Sequence, residues 1–119
     1  MDKKIENTIP VLPVKSMEES IQYYVDTLGF SVDWKGSVVG SVSRDGWSIM
    51  LSETTGGSDP GWVWIGLEDA TLFDEYKKKG VKVNQEPQNH FLGYEMKFED
   101  IDGNVLWLAT GPRKDMPEI

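Results

Sequence analysis

The chain has 119 residues, a length that suits one domain with one core. Apolar residues at 39% and charged residues at 27% give a globular composition, and the absence of cysteine excludes a disulfide framework, a thiolate nucleophile and a thiolate metal site. The formal net charge of -8 argues against DNA or RNA as a partner, because phosphate binding needs a surplus of Lys and Arg, whereas it suits a cationic ligand.

No apolar run is long enough to span a bilayer, and Met1 to Asn7 lack the apolar stretch of a signal peptide, so no membrane is expected and the expected location is cytoplasmic. Ile5 to Val14 reads as a first strand. Pro10 and Pro13 cannot donate to a ladder, which makes it an edge or exchanged strand. Ser16 with Glu19 three residues later predicts a helix start, and Met17, Ile21, Tyr24, Val25 and Leu28 form one apolar stripe. Gly29 is the natural stop. Phe30 to Trp34, Ser37 to Ser43 and Trp47 to Ser52 read as strands, with a hairpin at Asp45-Gly46.

Glu53 to Gly61 is the one linker-like stretch. Beyond it the pattern restarts. Trp62 to Leu67 predicts a strand, Asp69 caps a helix that runs to Lys79, and Gly80 stops it. Val81 to Val83, Tyr94 to Phe98 and Val105 to Ala109 predict three more strands, and Gly111 to Ile119 a frayed tail. Val14 to Tyr23 matches Leu67 to Tyr76 at an offset of 53 (67 − 14 and 76 − 23), and Asp45-Gly46 matches Asp102-Gly103. The expected fold is therefore α+β. It is a single domain over 1–119, with one βαβββ repeat over about 5–53 and a second over about 61–110.

Side chains alternate across a strand. Val63, Ile65, Leu67, Leu106, Leu108, Ile49 and Leu51 belong on the face under a helix. The opposite face then holds Trp62, Trp64, Trp107 and Met50, an unusually large apolar patch if left in water. It can line a ligand cavity, fill a second core or form a dimer interface.

Ile9-Pro10-Val11-Leu12-Pro13-Val14, then Tyr23-Tyr24 and Leu28-Gly29-Phe30, resembles the opening of the bleomycin-resistance proteins. Phe98-Glu99-Asp100-Ile101-Asp102-Gly103-Asn104-Val105-Leu106 resembles their closing hairpin. The resemblance is to the glyoxalase/bleomycin resistance/dioxygenase (vicinal oxygen chelate) superfamily, in its metal-free branch. It implies curled mixed sheets around a cavity, closed by paired halves. In enzymatic members a divalent metal is held by His, Gln or Glu at one position on the first and fourth strands of each half. By register those positions carry Ile9, Met50, Trp62 and Trp107, none of which suits a hard cation. No catalytic residue, metal ligand or cofactor is assigned. His90, the only histidine, is expected to be a solvated loop residue, and Asp100 and Asp102 to hydrogen-bond the turn backbone.

The function expected is sequestration of a planar or cationic small molecule by a homodimer, an antibiotic-resistance-like role. Trp62, Trp64, Trp107 and Met50 are the leading ligand-binding residues, with Trp34, Trp47, Phe91 and Tyr94 behind them. Glu95 and Lys97 have the parity of the Trp face but are expected in solvent. The alternatives are a metal-dependent lyase, isomerase or dioxygenase using Glu53, Glu95 or Asp residues, and a dimeric module without a pocket.

Overall fold

The structure, a computed structural model, describes residues 2–56, 58–90 and 93–112. The first half comprises β1 (Val11–Val14), α1 (Met17–Asp26), β2 (Ser31–Lys35), β3 (Val39–Arg44) and β4 (Trp47–Glu53). The second comprises β5 (Trp62–Gly66), α2 (Thr71–Lys78), β6 (Lys82–His90), β7 (Gly93–Glu99) and β8 (Val105–Thr110). Each half forms a four-stranded mixed sheet, in the orders β1-β4-β3-β2 and β5-β8-β7-β6. The first strand pairs parallel with the fourth in both, and the other pairings are antiparallel. This is the α+β fold of two βαβββ repeats.

Local chemistry accounts for most boundaries. Ser16 caps α1 by accepting from the Glu19 amide at 3.3 Å, and Glu53 accepts from the Met17 amide at 2.8 Å. The β3–β4 hairpin turns through Asp45 at φ 53° and Gly46 at φ 84°, where both central residues need positive φ.

Most strand ends fall within one or two residues of the sequence reading, and three boundaries differ in ways that matter. The first strand is four residues, not ten: residues 2–10 make no strand, and the edge position expected from the two prolines is where β1 lies. The sixth strand is longer, so His90 is not in a loop but ends β6 and pairs with Gly93. Polar residues at alternating exposure and Pro87 hide this strand from a hydrophobicity pattern. Asp69 does hold the start of α2, but from one residue before the cap position, by accepting from the Thr71 amide at 3.0 Å and hydroxyl at 2.7 Å.

One contiguous core joins both halves, from Leu12, Tyr24, Leu28 and Leu51 to Tyr76, Met96, Phe98, Leu106 and Leu108. The halves also grip each other through polar side chains. Tyr24 of α1 donates to Asp100 in the β7–β8 turn at 2.7 Å, and Ser20 donates to Asp102 at 2.6 Å. Reciprocally, Arg44 of the first hairpin donates to Glu75 of α2 at 2.8 Å and to the Leu28 carbonyl at 2.7 Å. Tyr76 of α2 donates to that same carbonyl at 2.7 Å.

Asn104, fully buried, is the rivet. It donates to the Pro13 carbonyl at 2.9 Å and accepts from the Gly61 amide at 2.7 Å, so it binds the end of β1 to the entry of β5. Asp100 accepts from the Asp102 and Asn104 amides, which is the turn-holding role expected of it. Asp102 instead accepts from the Lys15 amide at 2.9 Å, at the base of α1.

Candidate functional site

The strand registers bring one row of side chains across each sheet, on the face away from the core. In the first half the row is Val11, Met50, Ser41 and Trp34. In the second it is Trp64, Trp107, Lys97 and Gln85. The rows occupy equivalent places in the two repeats: Trp64 lies 53 residues after Val11, and Trp107 57 after Met50 (64 − 11 and 107 − 50). Alternation explains them, because their strand neighbours Leu12, Leu51, Val42, Leu108 and Met96 are all buried in the core.

The second face is aromatic. Trp62 and Trp107 meet edge to face at 6.3 Å and 77°. Trp64 extends along its own strand over Gly66: a Cβ at Gly66 would stand 3.0 Å from the Trp64 ring. Trp62 and Trp64 remain 57% and 55% exposed. A shallow groove of about 370 Å³ lies beside Trp64, floored by Gly66 and Ala109. A wider depression, about 800 Å³, lies elsewhere, along the outer side of α1 between Glu19, Tyr23 and Ile101. It is open and carboxylate-rimmed, with Tyr23 as its one ring and no indole, so the Trp face is the better candidate.

Lys97 and Glu95 are not solvent residues. Lys97 places its ammonium 4.7 Å from the centre of the Trp107 ring and 5.3 Å from that of Trp62. Glu95 is only 2% exposed, and its Oε2 has no hydrogen-bond partner among the described residues. Both were readable from parity. Charge alone had argued for solvent.

Trp34 joins the first row next to Asp33, the residue missed by sequence reading. A bulge between Val32 and Trp34 turns Asp33 onto the open face. There it accepts from the hydroxyls of Ser43 at 2.6 Å, Ser41 at 2.9 Å and Ser48 at 3.1 Å. Those hydroxyls, Ser43 first, hold its carboxyl below the ordinary carboxylate range. A bulge leaves no signature in a strand of five residues.

The remaining candidates do not join the rows. Trp47 has the opposite parity and sits 81% exposed at the hairpin end. Tyr94 turns into the core, 5.5 Å from Phe73. Phe91 lies outside the described residues.

At the superfamily's metal positions, Met50 faces Val11 and Trp107 faces Trp64, while Ile9 precedes β1 and lies outside any strand. Thioether, aliphatic and indole side chains offer no oxygen or imidazole donor, so the residues present do not fit a hard divalent ion. Among the described residues no three His, Asp or Glu side chains gather into such a site, and Glu53 is engaged at the start of α1. No helix is long and apolar enough to cross a membrane.

Two βαβββ halves with an aromatic open face define a class of paired-module proteins. The family model of the glyoxalase/bleomycin resistance protein/dioxygenase superfamily matches residues 7–108, and the chain belongs to that superfamily. The bleomycin-binding protein from bleomycin-producing Streptomyces verticillus, solved with copper(II)-bleomycin, is similar in fold. Its TM-score is 0.80 at 22% identity, over 92% of this chain and 99% of that one. A bleomycin resistance determinant encoded on transposon Tn5 gives 0.80 at 18% identity, over 90% and 98%. An integron cassette protein from the Halifax Harbour sewage metagenome gives 0.77 at 22% identity, over 89% and 99%. No curated protein sequence matches the chain.

Proposed function

We propose that this protein binds a planar small molecule, carrying cationic groups, on its aromatic open faces, and that it acts by sequestration in the manner of a bleomycin-resistance protein. The observation that carries this reading is the cluster of Trp62, Trp64 and Trp107, two of them left more than half exposed on a sheet face with no core role. Indole faces favour flat heteroaromatic rings, and each stacked ring is worth about 0.5–1.5 kcal/mol beyond area burial. Asp33, held by three hydroxyls, and the net charge of -8 favour a cation. Lys97 already stands over Trp62 and Trp107, so the cationic part of a ligand belongs toward the first half and its ring toward the second.

A homodimer is part of the proposal. The radius of gyration is 15.3 Å, against about 13.5 Å for a compact chain of this length, and both open faces leave large apolar side chains in water. A second copy would close each face into a cavity.

Titration with copper(II)-bleomycin, read by Trp fluorescence and calorimetry, tests the reading. Saturable quenching with low-micromolar affinity or better is expected. The absence of both heat and quenching at high micromolar concentration would refute it.

A further inference from the structure

We propose that Glu95, Gln85 and Trp107 form a hydrogen-bonding seat for a planar ligand group that carries an amino donor beside an acceptor atom. The inference rests on the open face of the second half being the ligand face, and it names what that face recognises.

The three side chains share that face. Lys97 pairs with Trp107 on one side and with Gln85 on the other, and Glu95 is two residues from Lys97 on the same strand. Glu95 is diagonal to both Trp107 and Gln85, about 7 Å from each, whereas Trp107 and Gln85 flank Lys97 two strand spacings, about 10 Å, apart, so a flat ring lying across Lys97 can be reached from both sides by these long side chains. Each ends in a buried polar atom without a partner among the described residues: Glu95 Oε2, Gln85 Nε2 and Trp107 Nε1. Three such atoms gathered on one face are unusual, because buried polar groups are nearly always satisfied. Glu95 is the sharpest case, a carboxylate 2% exposed that forms no ion pair among the described residues.

Their polarity is mixed. Glu95 accepts, whereas the indole N–H and the amide NH₂ donate. A lone cation would satisfy only Glu95, and a lone anion only the other two. A flat ring with an amino group flanked by two ring nitrogens satisfies all three: the amino N–H donates to Glu95, and the two ring nitrogens accept from Trp107 and from Gln85. Trp62 and Trp64 beside the seat select for flatness.

The test uses 2-aminopyrimidine as the probe and the indole N–H resonance of Trp107, assigned through Trp107→Phe. In the parent protein the probe should shift that resonance saturably at millimolar concentration. Glu95→Gln, which keeps the shape of the side chain, should weaken the probe tenfold or more, and Gln85→Ala severalfold. A melting temperature near the parent's shows that each variant is folded. An unmoved Trp107 resonance, or a Glu95→Gln protein that binds the probe within twofold of the parent, overturns the seat. Copper(II)-bleomycin titrated in parallel separates the two ideas. If the parent binds the drug complex but Trp107 ignores the probe, the seat is wrong and the sequestration reading stands. If the probe binds through Glu95 but the drug complex does not bind, the seat stands and the ligand is another amino-heteroaromatic compound.

Discussion

The hydroxyl of Tyr24 in α1 donates to the carboxylate of Asp100, 76 residues away, across 2.7 Å of buried space. The bond ties the helix of one repeat to the closing turn of the other. Asp100 accepts three further bonds, from the Asp102 and Asn104 amides and the Asn104 side chain. Burial still pushes its carboxyl above the ordinary carboxylate value. The interlock is therefore built of groups that are costly to leave unpaired.

Tyr24→Phe should lower the unfolding free energy by about 1–3 kcal/mol, because a buried acceptor loses a donor while the ring packing stays. Chemical denaturation checks it. The ring itself is fully buried and sits edge-on against Phe30 at 5.4 Å, so Tyr24→Ala should cost more, about 3–5 kcal/mol. Equal costs for the two variants would mean that the hydroxyl contributes nothing.

Alkaline pH should unfold the protein. Burial pushes the Tyr76 phenol up to about 12 and the Tyr24 phenol well above its ordinary value. The folded state then keeps phenol protons that the unfolded chain has released, so stability falls as pH rises. The contribution of Tyr76 is complete below pH 10.0 and is lost by about pH 12. At 1.36 kcal/mol per unit the loss approaches about 3 kcal/mol for Tyr76, which is 1% exposed. Denaturant midpoints across this range, with phenolate absorbance followed in parallel, test it. Phenolate absorbance from both buried tyrosines appearing near pH 10 without unfolding would contradict it.

Binding and folding should separate by face. Trp62→Ala and Trp107→Ala should weaken a planar ligand such as copper(II)-bleomycin by about tenfold or more, from lost stacking and lost area. Trp62, more than half exposed, should cost little stability. Leu106→Ala, at a fully buried position on the opposite face, should cost about 2–5 kcal/mol and leave affinity intact in the folded fraction. If both Trp variants unfold like Leu106→Ala and keep the parent's affinity, the Trp face is an interface or a second core.

Sedimentation at micromolar concentration should give twice the chain mass of 13.4 kDa. A stable single-chain mass would defeat the proposed closure of the two faces by a second copy.

Much of this architecture was open to reading because it is periodic. The repeat offset, the stripe from Met17 to Leu28 and the turn glycines each reflect short-range rules, and the alternation of Trp62, Val63, Trp64 and Ile65 assigned faces correctly before any contact was known. The first strand was overextended because its apolar residues continue past Pro10, which accepts from the Met50 amide but has no N–H to carry the ladder further along β4. The sixth was cut short because a polar edge strand has no hydrophobic period to find.

Side-chain identity and spacing, which the linear chain carries, determined the two repeats, the superfamily, the Trp-bearing face and the poor fit of a divalent ion to its metal positions. Register and burial, which depend on residues far apart in sequence, were decided only by the folded chain. Lys97 meets rings because Trp107 lies opposite it, and Glu95, opposite Ala109, is buried rather than solvated. Asp33 acquired its three hydroxyl partners from a single bulge, and Tyr24 met Asp100 only because two helices and two hairpins interlock. Hydrophobic periodicity chooses a face locally, whereas the partner of a polar group is set by long-range packing, where no local signal reaches.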